Sequence, residues 1–419
     1  MFLLLFMLLS PHRDSENVNL ASFERVWQII QEKHWDLAAT GVDWNQIHTE
    51  YLPRAQKAKS HGEMREIIEE MIGRLGQTHF GLLGGQSFSS IDNLKYEAKA
   101  GASELGWEVR RVGDGIFVTR IDPQGEAYEK GVRLGSQILQ IGPVKAEQIL
   151  TAVDAAYANS HQRGLYTVRT LNEFVHHSVG SSITYQILLP GQDQPSSIAF
   201  DNAKSIQLTS YFPNMPPMHY QFEKKLIEDK WAYVTFNLFL QPLIQDFPNA
   251  LSSMPENQGL IIDLRGNPGG LGWLANGIAG YLIAERGQKL GTMQAKEGTL
   301  NFFIAPRPNR YEKPVAILID EASASTSEIL AQGLKDLKRA RIFGTNSAGA
   351  ALPSFIETLP NGDRFQYAFG NYTSIGGVEI EGKGVAPDET TPHTLTSMSH
   401  SHDATLDAAV TWLKTQTIR

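Results

Sequence analysis

The hydrophobic positions of the first part of the chain recur every three to four residues. This spacing predicts amphipathic helices over residues 20–76. The apolar positions of the first helix share one face: Phe23, Trp27, Ile30 and His34. A second helical run, "SHGEMREIIEEMIGRLG", places Ser60 where a helix cap is favoured and Gly76 at its end. The chain therefore opens with a helical region.

The pattern changes to that of β-strands over residues 99 to about 200. The segments "GIFVTRID", "SQILQIG" and "SSITYQILLP" are rich in β-branched and aromatic residues, and turn residues separate them. A link rich in Pro and Asn, "YFPNMPPMH", follows. These features predict a separate, β-rich middle domain.

Strands and helices alternate in the last part of the chain. The segments "KWAYVTFNLF", "QGLIIDLRG" and "KPVAILID" are predicted strands, and helices are expected after "NPGG", in "TSEILAQGLKDLK" and in the tail "DATLDAAVTWLK". This order predicts an α/β layer with a largely parallel sheet. The chain is thus expected to be an α/β (α+β) multidomain protein.

Composition narrows the class of protein. The 419 residues suggest two or three domains, and the 42% apolar and 20% charged content fits a globular protein. The net charge of −8 makes nucleic acid an unexpected partner. The chain has no cysteine, which excludes disulfides, thiol nucleophiles and Cys-ligated metal.

The N-terminus, "MFLLLFMLLSPHRDSE", begins with an apolar run that is too short to span a bilayer. It is typical of the apolar part of an export signal, although a basic leader and a small-residue cleavage site are lacking. Export to the periplasm or the medium is therefore expected, and a cytoplasmic location stays open. A tail that simply packs is the alternative. No other stretch is long enough to cross a membrane.

Two short segments carry candidate chemistry. Ser323, Ser325 and Ser327 lie between a buried strand and a helix, where serine acts either as a helix cap or as an exposed nucleophile. The segment "LIIDLRGNPGG" ends a second buried strand in a glycine-rich turn, whose N–H groups can approach a ligand. Each segment alone is weak evidence.

Taken together, these two segments resemble the two sequence blocks of the C-terminal processing (tail-specific) serine proteases, whose domain the tricorn core protease shares. The resemblance covers the chain from about residue 20 to its end. It implies a ClpP/crotonase-like ββα core with Ser325 as the nucleophile. It also implies an oxyanion hole made by the N–H of Thr326 and that of Gly269 or Gly270.

The general base departs from the tail-specific pattern. Those enzymes use a lysine twenty-five residues after the serine, where this chain has Ala350. The family's helical aspartate matches Asp336, which is as well explained by a structural role. The alternative lysines are Lys335 and Lys338, on the predicted helix, and Lys383, far along the chain.

Histidine is the commonest base for a serine nucleophile. His79, in "RLGQTHFGLL", resembles the histidine block of the tricorn-like branch, which uses a Ser-His-Glu triad. Gln77 and Phe80 depart from that block. The segment "GVEIEGKGVAPDE" resembles the family's closing block and implies Glu381 as the orienting carboxylate, with Glu379 as the competitor. His176 and His177 are interpreted as solvated residues on a helix.

The middle domain resembles a PDZ domain over roughly residues 100–195. The segment "ELGW" resembles the carboxylate-binding loop, which implies that the N–H groups of Leu105, Gly106 and Trp107 receive a chain terminus and that a peptide adds to the sheet edge. Ser136 stands where Asp is common. A degenerate PDZ domain that only packs or gates the active site is the alternative.

The sequence thus predicts four segments: a signal-like tail (1–18), a helical domain carrying the catalytic histidine (19–98), a PDZ-like domain (99–200) and a protease core (201–419). The expected function is a serine endopeptidase acting on unfolded or C-terminally exposed polypeptides. The alternatives are a non-catalytic binding protein on the same fold and a hydrolase of small esters or amides. No metal motif occurs and the mechanism needs no cofactor. The substrate and the oligomeric state stay open.

Overall fold

A computed structural model of the chain describes residues 11–83, 105–158, 160, 162–175, 182–200, 207–211 and 217–416. They form a helical N-terminal region, a β-rich middle domain and a C-terminal α/β core, which confirms the expected α/β (α+β) multidomain class. The apolar run at the N-terminus and both His176 and His177 lie outside the described residues. Export therefore stays a prediction.

Within residues 11–83 the N-terminal region contains three α-helices, one 3₁₀ turn and one short strand. They are α1 (Pro11–Lys33), a 3₁₀ turn (Ala38–Thr40), α2 (Trp44–Ala55), α3 (His61–Gly73) and β1 (Gly81–Leu83). Ser60 caps α3 as expected, because its hydroxyl accepts the N–H of Glu63 at 3.1 Å. Asp43 caps α2 in the same way through the N–H of Gln46.

The middle domain is a mixed helix and sheet unit built on an antiparallel sheet. Its elements are β2 (Trp107–Val112), β3 (Gly115–Ile121), α4 (Glu126–Glu129), β4 (Gln137–Ile141), β5 (Val144–Lys145), α5 (Ala146–Tyr157), α6 (Arg163–Val175), β6 (Ile183–Leu188) and β7 (Ser196–Phe200). The strand order is β2-β3-β4-β6-β7, with β5 paired to β4. β2 is thus an edge strand, and helix α6 packs against it.

The C-terminal core contains the remaining elements. They are β8 (Phe222–Ile227), β9 (Trp231–Phe236), α7 (Leu243–Ser253), β10 (Gly259–Asp263), α8 (Trp273–Leu282), β11 (Lys289–Ala295), β12 (Gly298–Phe303), β13 (Val315–Ile319), α9 (Thr326–Asp336), β14 (Arg341–Gly344), β15 (Ser354–Thr358), β16 (Arg364–Ala368), β17 (Gly370–Ser374), β18 (Glu389–Thr390), α10 (Leu395–Ser399) and α11 (Ala404–Thr415).

A six-stranded sheet organises this core in the order β18-β14-β13-β10-β9-β8. All neighbouring strands are parallel except β8 and β9. Residues of α8 and α9 cover one face and α11 covers the other. The central strands β10 and β13 are buried along their whole length, which explains their continuous apolar sequences. Because the strands are parallel, the turns after β10 and β13 meet at one edge of the sheet.

The N-terminal region is joined to the core by a shared sheet and a shared hydrophobic cluster. Strand β1 pairs antiparallel with β16, which in turn pairs with β15. Helices α1 to α3 pack against Leu352, Phe365 and Tyr367 of the core. Residues 77–80, between α3 and β1, are therefore held against the C-terminal half of the chain.

Candidate active site

The turn between β13 and α9 carries the candidate nucleophile. Ser325 has φ of 56° and ψ of −117°, a backbone conformation that is costly for a residue other than glycine. Its N–H is held by two acceptors, the carbonyl of Ala350 at 2.8 Å and Oε2 of Glu328 at 2.9 Å. Strained strand-to-helix turns of this kind expose a serine at the end of a sheet. Ser325 is accordingly half-buried and reachable.

The two neighbouring serines have structural roles. Ser323 is fully buried, and its hydroxyl donates to the carbonyl of Leu264 at 2.7 Å. Ser327 is also fully buried and donates to the carbonyl of Asn267 at 2.9 Å. Both bonds tie the serine turn to the glycine-rich turn that follows β10. The alternation of the three serines thus separates one accessible hydroxyl from two buried ones.

Glu328 organises the loops around Ser325. Its carboxylate is buried and accepts hydrogen bonds from the N–H groups of Ser325, Gly349 and Ala350 and from the hydroxyl of Ser347. Burial raises its pKa to about 7, while these four donors act in the opposite direction and favour the ionised form. The carboxylate therefore joins the serine turn to residues 347–350.

The glycine-rich turn lies directly beside Ser325. A Cβ on Gly269 would come within 2.7 Å of the Ser325 Cβ and 2.9 Å of the Thr326 nitrogen, and its φ is 99°. Only glycine fits this close approach. The Thr326 hydroxyl donates to the carbonyl of Gly270 at 2.9 Å, which fixes the two turns to each other.

The N–H groups of this turn are not equivalent. The N–H of Gly269 donates to Oδ1 of Asn267 at 2.9 Å, and Asn267 is itself held by the carbonyl of Phe236. Among the residues that the structure describes, neither the N–H of Gly270 nor that of Thr326 has an acceptor. The N–H groups of Gly270 and Thr326 are therefore available to a bound anion. Gly269 has no side chain and so allows the close approach of the serine turn.

His79 lies between α3 and β1 in a left-handed conformation with φ of 59°. Its Nδ1 is 2.9 Å from the hydroxyl oxygen of Thr78. That hydroxyl donates to Oε2 of Glu381 at 2.9 Å, and the N–H of Thr78 donates to Oε1 at 2.9 Å. Because the hydroxyl proton of Thr78 points to the carboxylate, the hydroxyl oxygen must accept from Nδ1. The Nε2 atom of His79 is then left unprotonated.

Thr78 is a site residue that the sequence interpretation missed. The sequence predicts a direct contact of Glu381 with the histidine, but the Glu381 carboxylate accepts hydrogen bonds from Thr78 and, at 3.3 Å, from the N–H of Ala351. The only signal in the sequence was a hydroxyl residue directly before the candidate histidine. The competing carboxylate, Glu379, is exposed and pairs with Lys383 at 3.6 Å.

Hydrogen bonds join these residues into one cluster. Glu381 bonds to Thr78 on one side and to the N–H of Ala351 on the other, and the neighbouring Ala350 carbonyl accepts the N–H of Ser325. Residues distant in sequence thus meet where the N-terminal region docks on the core. The structure brings together the loops that carry Ser325, His79 and Glu381.

The position of the family's lysine cannot accommodate one here. Ala350 is 1% exposed and packs against Leu165 and Val168 of helix α6. The other lysines are elsewhere: Lys335 contacts Asp388 at 3.2 Å, and Lys383 pairs with Glu379. Asp336 has a structural role, since it accepts from Ser374 and from the N–H of Gly376.

Helix α6 of the middle domain covers the serine turn. Leu165 and Val168 pack on Ala322, Ala324 and Ala350. Burial of His79 lowers its pKa to about 4, and the charge of Arg169 on helix α6 acts in the same direction. Burial raises the pKa of Glu381, against its bonds from Thr78. The imidazole of His79 is therefore uncharged at neutral pH. The middle domain lies against the turn that carries Ser325.

The pH dependence of turnover follows from this environment. The sequence predicts His79 as the base, and a histidine base must be neutral, so activity is expected to fall as the pH drops through the pKa of His79. The acid limb of kcat/KM is expected near pH 4, and Arg169→Gln is expected to shift its midpoint upward because a positive charge is removed. The matched control is Arg163→Gln on the same helix, whose side chain pairs with Asp154. An unchanged midpoint in Arg169→Gln would contradict this account.

The edge strand of the middle domain is occupied by a side chain. Asn172 of α6 accepts the N–H of Val109 and donates to its carbonyl, both at 3.0 Å. Leu105 and Trp107 are buried, and Gly106 packs against Gly125. A peptide that added to β2 at Val109 would have to displace Asn172.

Neither a metal cluster nor a membrane-spanning helix is found within the described ranges. No group of three or more His, Asp or Glu residues there is arranged to hold a metal ion. No helix of this part of the chain is both long enough and apolar enough to cross a bilayer.

Parts of this chain are similar to known protein domains and to a known protease. Residues 230–391 match the sequence profile of Peptidase family S41, and residues 19–73 match that of the Tricorn protease C1 domain. A carboxyl-terminal-processing protease of Synechocystis sp. is 23% identical over 377 residues, which are 89% of this chain and 81% of that protein.

Two solved structures share the fold. The photosystem II D1 C-terminal processing protease superposes with a TM-score of 0.54 at 19% identity, covering 92% of this chain and 98% of the other. Mature CPAF superposes with a TM-score of 0.62 at 15% identity, covering 97% and 99%.

The matched domains and relatives define the class of protein, a serine-type peptidase. The chain carries a domain that matches Peptidase family S41, over residues 230–391, and one that matches the Tricorn protease C1 domain, over residues 19–73. The serine peptidase predicted from the two sequence blocks is thereby confirmed.

Proposed function

We propose that the chain is an endopeptidase that cleaves polypeptides with Ser325 as the nucleophile, His79 as the base and Glu381 as the carboxylate acting through Thr78. The observation that supports it most is the hydrogen-bonded series from Glu381 through the Thr78 hydroxyl to Nδ1 of His79. This series leaves Nε2 free to accept a proton. The loop of Ser325 is bonded to the same cluster.

In the proposed mechanism, Nε2 of His79 takes the proton of the Ser325 hydroxyl as its oxygen attacks the scissile carbonyl. The N–H groups of Thr326 and Gly270 hold the oxyanion, since Gly269 is already bonded to Asn267. His79 then returns the proton to the leaving amine. Water then attacks the acyl-enzyme. His79 takes the proton of the water and returns it to the Ser325 oxygen as the acyl group leaves. Glu381 stabilises the imidazolium through the Thr78 hydroxyl.

Fluorophosphonate labelling tests the nucleophile. The probe forms a covalent bond to an activated serine, and mass spectrometry of the labelled peptide identifies which serine has reacted. Modification of Ser325 is the expected result. Labelling at another serine, or no labelling of a folded protein that cleaves casein, would contradict the proposal.

Thr78 provides a test of the relay. Thr78→Val keeps the shape of the side chain but removes the hydroxyl, so His79 loses its partner and Glu381 loses a donor. We expect kcat to fall by roughly 10²-fold with little change in KM, because a positioned acid–base group contributes about that much. Thr78→Ser keeps the hydroxyl and is expected to retain most activity. Equal kcat values for the Val and Ser variants would contradict the relay.

The proposed substrates are unfolded or C-terminally exposed polypeptides. The support is that relatives of this chain are named as carboxyl-terminal-processing proteases. The PDZ-like interpretation of the middle domain supports recognition of a chain terminus at Leu105, Gly106 and Trp107. An antiparallel sheet with an edge strand next to a helix provides the geometry for strand addition.

Asn172 is expected to compete with such a peptide. Asn172→Ala removes the side chain that occupies the Val109 backbone, so a peptide with a free C-terminus is expected to bind about tenfold tighter. Fluorescence anisotropy of a labelled apolar peptide measures this effect, and the same peptide with an amidated C-terminus is the control. Unchanged affinity, or equal gain for the amidated peptide, would contradict C-terminus recognition at β2.

A further inference from the structure

A basic groove lies at the opposite end of the core sheet from Ser325. It is a cavity of about 910 Å³ at the amino-terminal ends of β13 and β14. Six cationic residues line it: Arg310, Lys313, Lys335, Lys338, Arg339 and Arg341. Its acidic lining residues are Glu312 and Asp388. The groove is thus strongly positive on a chain whose net charge is −8.

Three of these cations are each in an ion pair with a carboxylate. Lys335 pairs with Asp388 at 3.2 Å, Arg310 with Glu312 at 3.7 Å and Arg341 with Glu389 at 3.1 Å. Within the residues that the structure describes, three others form no ion pair: Lys313, Lys338 and Arg339. The groove therefore keeps an excess of positive charge.

Several of these cations also contact the fold that surrounds the groove. Cations near a helix C-terminus offset the helix dipole, which accounts for Lys335 and Lys338 at the end of α9. Lys313 and Arg310 come from the segment before β13, and Lys313 donates to the carbonyls of Pro255 and Asn257, just after the end of α7. Arg339 donates to the carbonyls of Leu282, Tyr311 and Lys313, and burial lowers its pKa. An anion in the groove would stabilise its charge.

We propose that this groove binds an acidic stretch of the polypeptide substrate, at a distance from the bond that is cleaved. The inference rests on the peptidase activity of the chain. Charge complementarity supplies the attraction. The groove also has apolar walls at Leu251, Pro314 and Trp412, which a polypeptide can contact with its side chains.

The position of the groove limits where the acidic stretch can lie. The five residues of β13 alone span about 16 Å between the two ends of the sheet. An extended polypeptide covers about 3.3 Å per residue, so at least roughly five residues must separate the scissile bond from the acidic stretch. Acidic residues directly beside the scissile bond are not expected to reach the groove.

Direct binding tests the groove without turnover. A labelled, Glu-rich peptide of roughly twelve residues is titrated at low salt against the full chain carrying Ser325→Ala, so that cleavage cannot occur. Anisotropy reports binding, and the Trp412 fluorescence is expected to change with it. In the same background, Lys338→Glu combined with Arg310→Glu is expected to weaken binding by about tenfold or more, and rising salt should weaken it further.

The control is Lys57→Glu, which makes the charge change of one of these two substitutions at an exposed position after α2. It is expected to leave peptide affinity unchanged. If the double variant is not folded by circular dichroism, Lys338→Gln alone serves, with a smaller expected loss. Equal binding of a Gln-for-Glu peptide, equal loss in Lys57→Glu, or preferential binding of an oligonucleotide or of inorganic phosphate would overturn the proposal.

Turnover provides the second measurement. On matched fluorogenic polypeptides, an acidic stretch about ten residues from the scissile bond is expected to lower KM in the wild type and not in the Lys338→Glu, Arg310→Glu protein, with kcat similar in both. If no substrate is cleaved while the Glu-rich peptide still binds, the proposed mechanism fails and the groove stands. If substrates are cleaved without any preference for the acidic stretch, the groove fails and the mechanism stands.

Discussion

Ser325→Ala is expected to lower kcat/KM on casein by about 10⁴- to 10⁶-fold and to abolish fluorophosphonate labelling. The variant loses the only oxygen that can form the acyl-enzyme in the proposed mechanism. Because the backbone of residue 325 is held by Ala350 and Glu328, the loop should keep its shape without the hydroxyl. Steady-state turnover and gel fluorescence of the labelled protein measure the effect.

The neighbouring serines provide the matched controls. Ser323→Ala and Ser327→Ala each remove a buried hydrogen bond and are expected to cost about 1–3 kcal/mol of unfolding free energy. Both hydroxyls point away from the accessible surface, so the folded variants should still be labelled. If either of these variants loses labelling while Ser325→Ala keeps it, Ser325 is not the nucleophile.

His79→Ala should reduce kcat/KM by about 10⁴-fold, because a serine hydroxyl without a base is a poor nucleophile. Fluorophosphonate labelling should slow by a comparable factor. The affected group is the free Nε2 atom, which the Thr78 contact with Nδ1 leaves unprotonated. Turnover measured from pH 4 to 9 separates this effect from a shifted pH optimum, since no pH should restore the activity.

An exposed histidine serves as the control for this substitution. His400 lies after α10, and its Nδ1 contacts the carbonyl of Thr396. His400→Ala is therefore expected to keep wild-type activity. Near-normal turnover in His79→Ala, with the protein folded and Ser325 still required, would mean that another group takes the proton.

Most of the fold could be predicted from local patterns. The strands β9, β10 and β13 and the helices α3, α9 and α11 follow from apolar periodicity, because the buried face of each element repeats along the sequence. The sheet formed by β11, β12 and β17 was not predicted. Its strands carry many polar and exposed positions, so their periodicity is weak.

The sequence allowed single candidate residues of the site to be named, but it did not predict their contacts with one another. Ser325 and the glycine turn lie in compact blocks that can be interpreted without a structure. Thr78 could not be assigned in this way, since its role depends on Glu381, a residue 303 positions away. The packing of the middle domain on the serine turn could not be predicted either. Leu165 and Val168 have the ordinary spacing of apolar residues in a helix, and this spacing does not show which segment they contact.

The sequence by itself determined the class of enzyme, the strand-to-helix turn that presents Ser325, and the absence of a lysine at position 350. These properties depend on residues that are close together in the chain, where backbone geometry and side-chain type act directly. Only the tertiary structure decided that Thr78 stands between His79 and Glu381, that the N–H of Gly269 donates to Asn267, and that Asn172 occupies the edge of β2. Each of these depends on hydrogen bonds between segments that meet only after the sheets have formed, so no local pattern can specify them.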